Sequence, residues 1–158
     1  MRIYLFLLLW VTGCATRSND WQTYDAGPFK FCLPPDFQKT SLQGIDSYVS
    51  EFKGDKIIMS FDYGAYSGSL DSFSGRTAYA SHREYIGGHE VQMASFDVDP
   101  ARYDHPHHIA VSFLGIGLTM SAACETKADC QTAAKIFRTV RFKPQNTNPA
   151  PSRIRKGN

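Results

Sequence analysis

Three times between residues 46 and 123, alternating apolar and polar residues break at a glycine-bearing turn and then resume. Asp46–Phe52 and Lys56–Tyr63 flank Lys53-Gly54-Asp55. Ala78–Ile86 and His89–Val98 flank Gly87-Gly88. Ile109–Leu114 and Leu118–Ala123 flank Gly115-Ile116-Gly117. Alternation at period two sends every second side chain to one sheet face, so Ile57, Met59, Phe61 and Tyr63 share a face. Glycine supplies the positive φ that tight hairpin turns require. Three successive hairpins dictate an antiparallel sheet, and the absence of βαβ alternation argues against a parallel one.

The last periodic segment changes period. Thr126 followed three residues later by Asp129 has the form of a capping box. Ala133, Ile136, Phe137 and Val140 then recur at i, i+3, i+4 and i+7, one face of a helix. That stripe must lie on one face of the sheet. An opening strand at 29–33 places Phe29, Phe31 and Leu33 together and turns Cys32 the other way. At 158 residues the chain amounts to one domain. The expected class is α+β, an antiparallel sheet of six to seven strands with a packed C-terminal helix.

Gly27-Pro-Phe-Lys-Phe-Cys-Leu-Pro-Pro-Asp-Phe37 resembles the F-x-F-x-L-P-x-G-F/W opening of PsbP-like domains and of many bacterial proteins of uncharacterised function. Asp36 stands where a glycine is usual. Ala134-Lys-Ile-Phe-Arg-Thr-Val-Arg-Phe142 resembles their closing helix, which runs into I-x-x-S-V/I-x-F. The resemblance spans about residues 29–142. It implies an α/β/α sandwich around an antiparallel sheet, and accessory or binding roles rather than an activity.

Before residue 22 the chain reads as an export signal and tether. Arg2 is the only charge in the first sixteen residues, and Ile3–Val11 is an unbroken apolar run. That run is well short of the roughly 20 residues needed to span a bilayer, and a basic start with a short apolar core is the pattern of a secretory signal. Val11-Thr12-Gly13-Cys14 resembles a bacterial lipobox. It implies cleavage after residue 13 and lipid on Cys14, with membrane contact through that lipid; an ordinary cleaved signal with a chance cysteine is the alternative. Two or three acyl chains at about 0.8 kcal/mol per buried methylene make such an anchor permanent. Ala15 in place of Asp favours the outer membrane by the sorting rule of enteric lipoproteins. Residues 14–21 form the expected lipidated tether and 22–142 the domain. Residues 143–158, with three prolines, four basic residues and no acid, read as a disordered tail.

Charge and cysteines narrow the class further. The net charge of +2 excludes a strongly basic nucleic-acid binder. Setting aside Arg2 and the four basic residues of the tail leaves 12 basic against 15 acidic residues, a mildly acidic body. An exported chain meets an oxidising compartment. Cys124 ends a strand and Cys130 faces inward on the next helix's first turn, so a Cys124–Cys130 disulfide is expected, with two buried free thiols as the alternative. Cys32 reads as a small buried hydrophobe.

The motif scan returns little chemistry. G-x-S-x-G, H-E-x-x-H, C-x-x-C and phosphate-cradling glycine loops are all absent from the sequence, and no cofactor is implied. Asp104-His105-Pro106-His107-His108 carries imidazoles suited to zinc, copper or nickel, although adjacency and Pro106 work against their convergence. Asp62, Tyr63, Tyr66 and Arg76 surround a Gly/Ser-rich loop and are types suited to partner binding; the bland reading is that they pin the loop. The expected function is a non-enzymatic, lipid-anchored envelope protein facing the periplasm, a protein-binding or accessory module. The alternatives are an immunity or inhibitor lipoprotein against a toxin or lysozyme, and a metal-binding protein or enzyme using the His105–His108 loop.

Overall fold

The computed structural model describes residues 20–41, 47–64 and 69–144. In chain order the strands are β1 (Gln22–Asp25), β2 (Phe29–Leu33), β3 (Gln38–Lys39), β4 (Tyr48–Lys53) and β5 (Ile57–Tyr63). A 3-10 turn at Leu70–Phe73 leads to β6 (Thr77–Ile86), β7 (His89–Asp97), β8 (His107–Phe113) and β9 (Leu118–Cys124). Helix α1 (Lys127–Arg138) and β10 (Arg141–Phe142) complete the fold.

All three hairpins form, and in two of them the turn glycines take the positive φ expected. Gly87 and Gly88 both have positive φ, at 59° and 87°, the combination that a two-residue turn matching strand twist requires. Gly54 is different: its φ is not positive, and a Cβ there would lie 2.8 Å from the Phe37 ring. Close packing, not turn geometry, excludes a side chain at that position.

Seven antiparallel strands make the main sheet, in the order β3-β4-β5-β9-β8-β7-β6. The opening strand at 29–33 is not among them. It pairs with β1 and β10 in a separate three-stranded sheet, and the short β3 supplies the seventh strand instead. Phe29 and Phe31 are fully buried between the two sheets with Phe52 and Phe61, their rings meeting at centroid distances of 5.1–6.2 Å. Helix α1 lays Ala133, Ile136 and Phe137 on the same core, against β2, β5, β8 and β9.

Both ends of α1 are fixed. Thr126 accepts from the Asp129 amide at 3.2 Å, and Asp129 accepts from the Thr126 amide at 3.0 Å, completing the capping box. Cys124 and Cys130 are disulfide-bonded, with Cα atoms 5.6 Å apart, which staples the first turn to the end of β9. At the far end the buried Thr139 hydroxyl donates to Ile136 O at 2.6 Å and accepts from the Cys32 amide at 2.8 Å. Cys32 is buried, as expected.

A residue at each expected domain edge makes contacts with the fold. Trp21 packs against the core although it reads as tether. Lys143 reads as tail, yet its ammonium is held by both Asp25 carboxylate oxygens at 2.7 and 2.8 Å, and its amide donates to Pro28 O. The apolar run 3–11, Cys14, Tyr66 and the tail beyond 144 lie outside the described residues. Among the described residues, no helix is long and apolar enough to cross a membrane.

The opposite face of the main sheet carries the crossover from β5 to β6. Leu70 of the 3-10 turn is buried on Ala94 and Ala110. Phe73 stacks on Phe96 at 4.6 Å, and Phe96 stacks on His108 at 5.0 Å.

Candidate binding groove

The helix is too narrow to cover the whole sheet. It sits over β5, β9 and β8, and β7 and β6 extend beyond it. Along β7 the helix-facing positions are Val91, Met93, Ser95 and Asp97, because alternate residues share a face. Val91 and Met93 are buried, Ser95 is exposed, and Asp97 is half-buried. The strand turns polar where the cover ends. The result is an open groove of about 510 Å3 between α1 and strands β6–β8.

Its floor is Met93, Ser95 and Ile109, and its helical wall presents Gln131, Ala134 and Lys135. The outer rim belongs to β6, where a bulge interrupts the register between Thr77 and Ala80. Ala78 within that bulge has φ +53°. A non-glycine residue there carries strain of order 1–3 kcal/mol, the kind of conformation that recurs at binding sites.

Each end of the groove is braced by a carboxylate held between two basic side chains. At one end Arg138 donates from Nε to Glu84 Oε1 at 2.9 Å and from Nη2 to Oε2 at 3.1 Å, and His82 Nε2 lies 3.5 Å from Oε2. The Arg138 hydrogen bond holds the Glu84 carboxyl below its ordinary range, against the partial burial that would raise it. At the other end Asp97 Oδ1 lies 2.7 Å from His107 Nδ1, and Oδ2 lies 3.7 Å from Lys127 Nζ. Lys135, between the two braces, has no ion-pair partner among the described residues.

Of the loop residues expected to bind a partner, the described ones, Asp62, Tyr63 and Arg76, do not share one surface. Asp62 and Tyr63 are consecutive in β5 and therefore face opposite ways. Tyr63 packs on the core with its ring 5.7 Å from Phe29. Asp62 faces away from the helix, with Oδ1 buried and unpartnered among the described residues. Arg76 is exposed just before β6, four strand spacings from β5, or about 19 Å. The histidine loop does not converge either. His107 lines the groove beside Asp97, and the ring of His108, the next residue on the strand, stacks on Phe96 on the opposite face, where burial and then the Arg76 cation push it below the ordinary histidine value. Among the described residues, no group of three or more His, Cys, Asp or Glu could hold a metal ion. Ser69 and Ser72 use their hydroxyls on the 3-10 turn itself.

No sequence motif marks the groove residues Ser95, Asp97, Lys135 and Arg138. Their signal was the loss of apolar character at Ser95 and Asp97 in an otherwise alternating strand.

No family model and no curated protein matches the chain. A solved structure does resemble it. The solution structure of cyanobacterial PsbP (CyanoP) from Synechocystis sp. PCC 6803 aligns with a TM-score of 0.51 at 10% identity, over 84% of this chain and 99% of that one. The fold is PsbP-like. At that identity the likeness concerns the fold alone. In this PsbP-like chain the helical layer on the outer face is the single 3-10 turn among the described residues.

Proposed function

We propose that this chain is a non-enzymatic binding or accessory module, held by lipid on Cys14 at the outer membrane and facing the periplasm. The observation that carries the binding role is the open edge of the main sheet. Strand β6 is ten residues long, and its outer edge pairs with no described strand. Unpaired edges of that length are surfaces to which other chains add. Tyr85 stands on it 76% exposed, with Arg83 nearby and Arg76 at its start. Tyr and Arg are the side chains most often found at the energetic centre of interfaces.

The anchor rests on the sequence of residues 2–14, a basic start, a short apolar run and the lipobox-like Val11-Thr12-Gly13-Cys14.

The test is affinity capture of the anchored protein from its own envelope, with metal content measured on the same sample. The reading predicts one stoichiometric protein partner, lost on Tyr85→Ala, and no metal. No partner together with a stoichiometric transition metal contradicts it.

A second reading, an enzyme, has one observation in its favour. Asp97 and His107 form a 2.7 Å pair inside the groove, and Ser95 lies two residues from Asp97 on the same strand face. Such a pair can orient a base toward a nucleophile. Among the described residues no hydrogen bond joins Ser95 to His107, and Lys127 shares Asp97. Labelling of Ser95 by a fluorophosphonate favours this reading, and inertness removes it.

A further inference from the structure

We propose that the groove between α1 and strands β6–β8 binds a small amphipathic anion, one negative group joined to an apolar body, such as an aryl or medium-chain carboxylate. The inference rests on the reading of the chain as a binding module and names a ligand for a site separate from the β6 edge.

The volume suits it. A groove of about 510 Å3 falls within the roughly 300–1,000 Å3 typical of small-molecule sites. The charge arrangement selects the sign. Three permanent cations, Lys127, Lys135 and Arg138, line the groove. Only two carboxylates, Asp97 and Glu84, face them, and these pair with Lys127 and Arg138. Lys135 is left over, with Gln131 one turn before it on the same helical wall. A single ligand anion would complete the count.

The apolar body is selected by the floor. Met93 and Ile109 lie on the helix-facing side of the sheet, and Ala134 lies opposite on the helix. Ser95 and Ala78 are small, so the shelf beside that floor stays open. The strained bulge at Ala78 holds the rim of β6 in the shape that leaves this opening.

The experiment uses the full chain and 4-phenylbutyrate as the probe, with methyl NMR of Met93, Ile109 and Ala134 as the readout. The proposal predicts a saturable shift of all three methyl signals. Lys135→Ala, at an exposed helical position where alanine is the best helix former, should weaken binding about tenfold, the effect of losing one charged hydrogen bond. Ser95→Phe should fill the shelf and abolish binding while leaving the rest of the spectrum folded. Neutral 4-phenylbutanol should bind about tenfold more weakly than the carboxylate, and acetate should leave the three methyls unmoved. No saturable shift, equal affinity for the alcohol, or an unchanged affinity in Lys135→Ala overturns the proposal. Each of those results leaves the capture experiment on the β6 edge intact, so the two failures are distinguishable.

Discussion

Arg138, in the last turn of α1, and Glu84, on the edge strand β6, meet through two parallel hydrogen bonds of 2.9 and 3.1 Å. They are 54 residues apart in sequence, and their fork is the direct polar tie between the helix and the strand that the helix does not cover. Paired geometry of this kind is the strong form of an ion pair, although both side chains are partly exposed and solvent screens them. Glu84→Gln should therefore lower stability by about 1 kcal/mol. Its pH dependence has a definite sign. The Arg138 hydrogen bond depresses the folded-state value of Glu84, so the stabilisation is present above the ordinary value of 4.5 and is lost as pH falls through the depressed one. Urea denaturation at a series of pH values should show a shallower acid limb in Glu84→Gln than in the unsubstituted protein.

Thr139 links α1 to the small sheet through a buried hydroxyl. Thr139→Val keeps the volume and removes the acceptor, leaving the Cys32 amide buried without its partner. Stranding a buried donor costs about 1–3 kcal/mol. The midpoint of chemical denaturation should drop accordingly, and amide exchange at Cys32 should accelerate before that of the β5–β9 pairing.

The Cys124–Cys130 loop is short, with a sequence separation of 6. In the chain-entropy account, closing it stabilises by about 2 kcal/mol. The double substitution Cys124→Ala with Cys130→Ala should cost about that amount and loosen the start of α1, seen as faster exchange at Cys130–Ala133. The capping box at Thr126 is untouched by the substitution, so the helix itself should persist by circular dichroism.

His108 is half-buried against Phe96, and burial, then Arg76, lowers its value below the ordinary 6.5. The folded state therefore resists its protonation. Its contribution is fully favourable above pH 6.5 and declines as pH falls through the lowered folded-state value. Arg76→Ala removes one of the lowering causes and should shift that decline to a narrower pH window. Histidine NMR titration of the two proteins, read at His108, checks the direction: its midpoint should rise on the substitution.

The hairpins were legible because each strand alternates and glycine marks each break, although at Gly54 the glycine is required by the Phe37 ring and not by a positive φ. Gly87-Gly88 and the Thr126–Asp129 box were as informative in sequence as in structure. So was the Cys124–Cys130 pair, since a strand end and the first turn of the next helix are held within bonding distance by only a few residues. Alternation in Phe29–Leu33 identified a buried face but not the sheet it belongs to, because period two carries no information about which neighbour a strand chooses. The two-residue strands at Gln38–Lys39 and Arg141–Phe142 are too short to show a period at all. The groove was illegible for a related reason. Ser95 and Asp97 break the apolar pattern of β7, but only the position of α1 over β8 and β9 reveals that the break is an opening and not a solvated edge. Asp62 and Tyr63, adjacent in sequence, face opposite sides of the sheet, as period two requires.

The proposed role of this PsbP-like domain is that of a binding module tethered by lipid on Cys14. The intact mass of the protein purified from its own envelope, without reductant, tests this most directly. The predicted result is a chain beginning at Cys14, heavier than residues 14–158 by two or three acyl chains on a glyceryl thioether, with the Cys124–Cys130 bond intact. A mature chain that carries no lipid on Cys14 would contradict it.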